Sequence, residues 1–447
     1  MDNGYAIFDQ VRIPRVDMLM GFAQVSSDGL YTKQEGAEKI AFGIMLDVRA
    51  RICINSAYVL ARALTISIRY SCIRVQGFID NTGASPIERA VMEYPTQQRV
   101  LMPLLAMAYA LHFTGVSVKA SYVAYTSSGE ASLLSELHAT SAGLKAYITT
   151  RVSEGMEACR KMCGGHGFLV NAGFADLYTS YLPFSTLEGT KEVLQQQMGR
   201  FLLKQFMITL SSIKKRENKP SKISPSASYL LEFMSQKSSP IDLKSLLELA
   251  ESGFDGVSSA DYSAIEETVF RAHRARATWC ISVAAAAVEA ATKKEKLDSE
   301  SPSVHLDPLL VASVELCAAA EAHSELLILE SFAKGILLQT KGSGGNGGGA
   351  IYLGDAEVRA LRAMFLLLGV TMMGSSSGQF LAAGALSVKD FTAIGEGDST
   401  LRSAGSRSRF PCLVLPFLSS LSPGYRTHRM ERFFPSHCSI NKFFSTR

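Results

Sequence analysis

From Gln34 to about Gln76 the chain runs without a proline. Its apolar residues Ile40, Ile44, Val48, Ile52, Ala57, Leu60, Leu64 and Ile68 recur at close to the helical period. So long a run at one period predicts one or two long helices, and an apolar stripe of that length is stable only when buried against others of its kind. Three further runs supply those partners. One follows Pro95, one spans about Ser135 to Cys163 and ends on Gly164-Gly165, and one covers about Gly189 to Lys215. Asp80 to Ser85 reads as a loop. Ahead of all this, Tyr5 to Val11 reads as a short strand stopped by Arg12-Ile13-Pro14, with no strand-rich partner after it. The expected fold is mainly α: two helical-bundle domains with a remnant β-strand segment at the N-terminus.

The second bundle is expected after a polar stretch, Lys214 to Ser239, that holds two prolines and reads as a linker. Helices are expected at about Leu243–Glu251, Ser263–Lys296, Leu309–Gln339 and Glu357–Leu386, with a glycine-rich break at 341–355. Beyond about Thr392 the chain loses periodicity, gathers four prolines with many Ser and Arg, and is expected to be poorly ordered.

Composition removes several function classes. Apolar residues at 47% against 19% charged exclude wholesale disorder. Eight cysteines, none in a C-x-x-C pair, exclude a disulfide scaffold and point to a reducing compartment. The net charge of +4 comes from the last 47 residues, which hold eight Lys/Arg and one acid, so the body lacks the basic excess that nucleic-acid binding needs. Asp2 and Asp9 stand where a signal peptide would be basic and apolar. The apolar stretch Ala363 to Leu386 is broken by glycines and serines, and reads as a buried helix pair rather than a membrane span.

Among candidate sites, Gly342-x-Gly344-x-x-Gly347 has the dinucleotide-fingerprint spacing but follows a helix instead of a strand, so it reads as a linker. Cys159, Cys163 and His166 lack a fourth ligand and the usual zinc spacing, so no metal is expected. Gly164-Gly165-His166-Gly167 either ends a helix or lets backbone approach something flat or anionic. Glu188, in LPFSTLEG, is either a helix-start acid facing the dipole or a general base whose apolar neighbours desolvate it. Arg69, Arg74 and Gln76 end the first long helix, and Gln97 and Gln98 begin the second. Together they form either a solvated hairpin or a pyrophosphate and adenine site.

The segments FDQVRIPRVDMLMGFAQVSSDGLYTK (8–33), ARALTISIRYSCIR (61–74), YPTQQRVLMPLLAMAYALHF (94–113), ELHATSAGLKAY (136–147), ACRKMCGGHGF (158–168) and TLEGTKEVLQQQMGRFLLK (186–204) carry a resemblance. In that order the chain resembles acyl-CoA oxidase, the peroxisomal branch of the acyl-CoA dehydrogenase superfamily. It does so specifically to about Lys204 and more loosely to about Asp390. The resemblance implies FAD, a fatty acyl-CoA substrate oxidised to the trans-2-enoyl-CoA, and dioxygen reduced to hydrogen peroxide. It implies Glu188 as the base, FAD contacts at Cys163, Gly164, Gly165, His166, Gly167, Phe168 and Arg74, and a further contact at Gln97 or Gln98. It also implies a homodimer with FAD at the subunit interface, and a peroxisomal location.

The family pattern divides the chain into a middle-domain remnant (1–33), an FAD-binding bundle (34–213), a linker (214–240), a second helical domain (241–391) and a non-family tail (392–447). The family's N-terminal helical domain and most of its middle β-domain are then expected to be missing, and the chain ends Ser445-Thr446-Arg447 without the peroxisomal tripeptide. Leu187 stands where the family usually has an aromatic residue, and Lys191-Glu192 replaces a more usual neutral pair. Two alternatives stay open: a non-catalytic helical interaction protein, and a dehydrogenase passing electrons to a flavoprotein.

Overall fold

A computed structural model describes residues 4–33, 37–80, 87–128, 130–215, 223–235, 259–297, 307–340 and 353–387. The expected helix at Leu243–Glu251, the Gly342–Gly347 run and the tail beyond Thr392 lie outside these residues. The fold is mainly α. The first long run is one helix, α1 (Ala37–Ile73), followed by α2 (Pro95–Ser128), α3 (Ala131–Met162), α4 (Phe174–Tyr181) and α5 (Lys191–Lys214). Next come α6 (Tyr229–Ser235), α7 (Ser259–Leu297), α8 (Pro308–Val311), α9 (Ser313–Thr340), α10 (Asp355–Ser375) and α11 (Ser377–Ala382).

The strands depart from expectation. Tyr5 to Val11 forms none; it has no partner, and a strand without a ladder leaves its backbone groups unpaired. Pairing occurs instead further on. There β1 (Ala23–Val25) runs antiparallel to β2 (Tyr31–Lys33) around a turn in which Gly29 takes φ +82°. A second hairpin, β3 (Val75–Asp80) and β4 (Ile87–Ala90), interrupts the helices where only a loop was expected. The linker expectation also gives way in part. Residues 223–235 carry α6, whose Tyr229 and Leu230 are buried together with Ala227.

One hydrophobic core runs through both helical groups. On the α1 stripe Ile52, Ala57, Leu60, Leu64 and Ile68 are buried, whereas Ile44 is exposed. That stripe meets Leu101 and Leu105 of α2 and Ile148 and Val152 of α3, and the same core continues to Phe332 of α9 and Phe365 of α10. Each such side chain contributes about 1.5–3 kcal/mol on burial. Contact is close where α5 crosses α9: a Cβ at Gly199 would stand 2.6 Å from the Leu316 carbonyl oxygen. Helices α1, α2 and α10 are long and apolar enough to cross a membrane by length and composition. More than half of each apolar window is buried within the fold (56%, 67% and 61%).

Beside this apolar contact the two groups share a buried ionic cluster. Glu325 of α9 accepts from Arg276 of α7 and from the Tyr147 hydroxyl of α3 (3.1 Å), and Arg151 of α3 lies 3.9 Å from it. Arg276 also donates through Nε to Gln379 (2.8 Å), and Arg151 donates to Glu321 (3.2 Å).

Candidate functional site

The chain leaves α4 through a 3₁₀ turn, Leu182–Ser185, in which Pro183 sets the entry. The Pro183 carbonyl accepts from the amides of Thr186 (3.0 Å) and Leu187 (2.8 Å), and the Gly189 amide donates back to Thr186 (3.2 Å). This coil places Glu188 at φ +61° and Gly189 at φ +112° before Thr190 opens α5. Left-handed backbone is natural for Gly189 but costs about 1–3 kcal/mol at a residue such as Glu188. The Glu188 side chain is exposed, as are Leu182 (37%) and Leu187 (51%). This corrects the expected desolvation: the turn stands on the surface of the bundle, and its apolar neighbours face outward rather than over the carboxylate.

Two cations that sequence reasoning missed lie beneath this turn. Arg49 of α1 donates through Nη2 to the Glu188 carbonyl oxygen at 3.3 Å, and Lys145 of α3 donates through Nζ to the Gly189 carbonyl oxygen at 2.7 Å. Both side chains are buried, at 4% and 0% exposed. Burial, then the neighbouring Arg49, brings the Lys145 ammonium down to about 8. Burial also lowers Arg49, against the attraction of Glu188. Nearby, burial pushes the Cys53 thiol up to about 12, and burial followed by Arg49 lowers His138. Neither cation stands out in the sequence: Arg49 sits between Asp47 and Arg51, and Lys145 is a single lysine in a helical run.

The other expected site residues gather elsewhere. Arg74 and His166 share an open groove of about 510 Å³ with Tyr70, Ile73, Val75, Gln76 and Glu88. The Tyr70 hydroxyl and His166 Nδ1 are 3.1 Å apart, and Arg74 donates to Gln76 Oε1 at 3.0 Å. Gly164 and Gly165 face open space, and Gly164 takes φ +57°, so backbone there is free to meet a ligand. Gly167 differs, because a Cβ at this buried position would collide with the Arg160 carbonyl that ends α3. Phe168 is 82% exposed, while Cys163 is buried beneath the turn. Cys159 is likewise buried, and among the described residues no His, Cys, Asp or Glu group is placed to hold a metal.

Gln97 and Gln98 serve the bundle interior. Gln97 Nε2 donates to Ser71 Oγ and to the Met162 carbonyl, both at 2.8 Å, and Gln98 Nε2 donates to the Met92 carbonyl at 3.0 Å. Both side chains are buried, so neither presents its amide N–H to the groove. Of the Lys191-Glu192 pair, the Lys191 side chain is half-buried against the fold, whereas Glu192 is exposed and contributes its backbone carbonyl. Lys191 Nζ lies 3.5 Å from Glu321, and the Glu192 carbonyl accepts from Cys317 Sγ at 3.7 Å.

The groove and Glu188 lie far apart along α1, the groove at its C-terminal end and Glu188 against Arg49 in its first half. From Arg49 to Tyr70, at 1.5 Å per residue, the helix axis runs about 32 Å. The groove offers the Arg74 guanidinium and the Tyr70 and His166 rings to a flat, partly anionic group, with the Glu88 carboxylate at its edge and the Gly164-Gly165 backbone next to His166 in the chain.

Residues 42–203 match the family model of the acyl-CoA oxidase C-alpha1 domain. The chain is 35% identical over 336 residues to peroxisomal acyl-coenzyme A oxidase 1 of Mus musculus, an alignment covering 74% of this chain and 46% of that protein. The fold is similar to that of an acyl-CoA oxidase from Lycopersicon esculentum, with a TM-score of 0.73 and 28% identity over 91% of this chain and 56% of that one. It is also similar to acyl-CoA oxidase-1 of Caenorhabditis elegans in its complex with FAD and ATP, with a TM-score of 0.70 and 26% identity over 92% of this chain and 53% of that one. The chain spans about half the length of the curated relatives it matches.

Proposed function

The chain belongs to the acyl-CoA oxidase family, and from that premise we propose that it carries the base and part of the FAD site of a flavin-dependent acyl-CoA oxidase. The observation that carries this reading is Glu188, an exposed carboxylate on a backbone held in the left-handed region. Strain of that kind persists where surrounding contacts enforce it, and it collects at functional sites. The α-proton of a thioester is weakly acidic, so its removal depends on a base held in place rather than on an intrinsically strong one. Glu188 takes that proton as the Cα–Cβ double bond forms. When bound, FAD supplies the acceptor for the hydride leaving Cβ and passes the electrons to dioxygen, giving hydrogen peroxide.

The groove residues fit part of that cofactor. Arg74 offers charge to a pyrophosphate, the Gly164-Gly165 backbone admits close approach, and the Tyr70 and His166 rings give flat surface. With about 32 Å of helix between groove and base, one chain does not bring both to the same reacting atoms. A homodimer in which the groove of one subunit faces the Glu188 turn of its partner removes the difficulty. Residues 34–213 are then the cofactor-binding bundle and 241–391 the second helical domain, and the location is peroxisomal.

The test is a flavin spectrum and a peroxide assay on the protein prepared with FAD, across a series of acyl-CoA chain lengths. Flavin should co-purify, and Glu188→Gln should lower peroxide formation by about 10²–10⁴-fold while flavin stays bound. Unchanged turnover in Glu188→Gln overturns the role of the base. A purified protein that retains no flavin supports the non-catalytic helical module instead.

A further inference from the structure

We propose that Arg49 and Lys145 form a two-cation clamp that positions the base by gripping consecutive backbone carbonyls, those of Glu188 and Gly189. The assignment rests on Glu188 being the base, and both cations are positioning residues rather than catalytic ones. The geometry is specific. Helices α1 and α3 converge on one turn, and the two donors take adjacent peptide oxygens at 3.3 and 2.7 Å. Fixing those two oxygens fixes the peptide planes on the C-terminal side of Glu188 and of Gly189. Upstream, the Leu187 and Gly189 amides are already tied to Pro183 and Thr186. With the backbone pinned on both sides, the direction of the Glu188 Cα–Cβ bond is set.

Three further observations separate this from ordinary packing. Buried cations are normally matched by buried acids. Here the carboxylate acting on both cations is Glu188 itself, whose side chain is exposed. Arg49 Nε and Nη1 are buried with no hydrogen-bond partner among the described residues, so the guanidinium is held by its grip on the turn rather than by a saturated network. The grip is also on the main chain. An ion pair made directly to the Glu188 carboxylate would occupy the oxygens that must receive the proton, whereas a grip on the carbonyls leaves them free. The floor under the turn is tight as well: a Cβ at Gly189 would come within 2.8 Å of Leu194, which packs on Ala142 and Ala146 of α3, one a turn before Lys145 and the other next to it.

The experiment is amide hydrogen exchange on the full chain, wild type against Lys145→Met, Lys145→Arg and Arg49→Met. In parallel, kcat and KM for acyl-CoA are measured on the FAD-loaded protein. Lys145→Met should speed exchange of the 187–190 amides about tenfold, the loss of one charge-assisted hydrogen bond. The interiors of α3 and α5 should stay protected, and Lys145→Arg should restore slow exchange. In the assay kcat should fall while KM stays within about twofold, again with rescue by Lys145→Arg. Unchanged exchange at 187–190, or looser exchange with unchanged kcat, overturns the clamp. If Lys145→Met fails to fold, Lys145→Gln, which keeps a shorter donor, is read in the same way. A wild type with no turnover counts against the oxidase reading, and the exchange result still decides the clamp.

Discussion

Among the described residues, buried cations gather in two places, and they are built differently. In the cluster between the helical groups, Arg276 and Arg151 face Glu325 and Glu321, and Tyr147 and Gln379 take up further polar valences. Beneath the Glu188 turn, Arg49 and Lys145 meet carbonyl oxygens, and Arg49 keeps two unpartnered nitrogens. The first arrangement balances charge inside the protein, as a joint between packed helices requires. The second leaves positive charge unbalanced within the fold and aims it at a strained backbone. Burial alone does not tell structural from functional charge here; the identity of the acceptor does.

The largest expected effect comes from unbalancing the balanced site. Glu325→Ala would leave Arg276 buried without its acid, a change that costs about 3–5 kcal/mol. Urea unfolding of the variant should show a loss of that size. Replacing both partners, Arg276→Met with Glu325→Leu, should recover most of it, because two well-packed apolar side chains can substitute for a buried pair. A double variant as unstable as the single one would mean that the cluster does more than hold the helices together.

At the clamp the expected effect is smaller and depends on pH. Lys145 titrates near 8 in the folded chain against an ordinary 10.5. Between those values the unfolded chain binds a proton that the folded chain does not, so wild-type stability from this group rises with pH. Below about pH 8 both states are protonated, and the cost of burying the charge is present in full. Lys145→Met carries no such cost. Its stability relative to wild type should therefore be most favourable at pH 7 and should decline through pH 8 to 10. Parallel curves for the two proteins, measured by urea midpoint across that range, would remove the contrast with the balanced cluster.

Much of this was legible in the sequence. The helices α1, α2, α3, α5, α7 and α9 follow the apolar period closely, because a long stripe has few ways to be buried. The β3–β4 hairpin was not legible, because Val75 and Gln76 read as the end of the long helix, Asp80 as the start of a loop, and the partner strand is only four residues long. At the site, the glycine-rich turn after α3 and Glu188 stand out through local composition. Arg49 and Lys145 do not, since a helical period marks which face is buried but not which polar group that face must serve. Gln97 and Gln98 illustrate the converse: a helix start with two amides suggests a ligand, yet their donors close the junction of α1, α2 and α3.

The smallest expected effect lies between the two regions. Lys191 opens α5 three residues after Glu188 and lies 3.5 Å from Glu321, so it links the base-bearing turn to the balanced cluster. Both side chains are partly exposed, at 33% and 27%, and such pairs contribute about 0.2–1 kcal/mol. Lys191→Ala would not orphan Glu321, which still accepts from Arg151 at 3.2 Å. A positive charge at a helix N-terminus also opposes the helix dipole, so its removal offsets part of the lost attraction. Urea unfolding of Lys191→Ala should then stay within about 0.5 kcal/mol of wild type, and high salt should shrink the difference further. A loss above about 2 kcal/mol would mean that the charge balance of the inter-helix cluster extends to the turn itself, and the two regions would have to be treated as one.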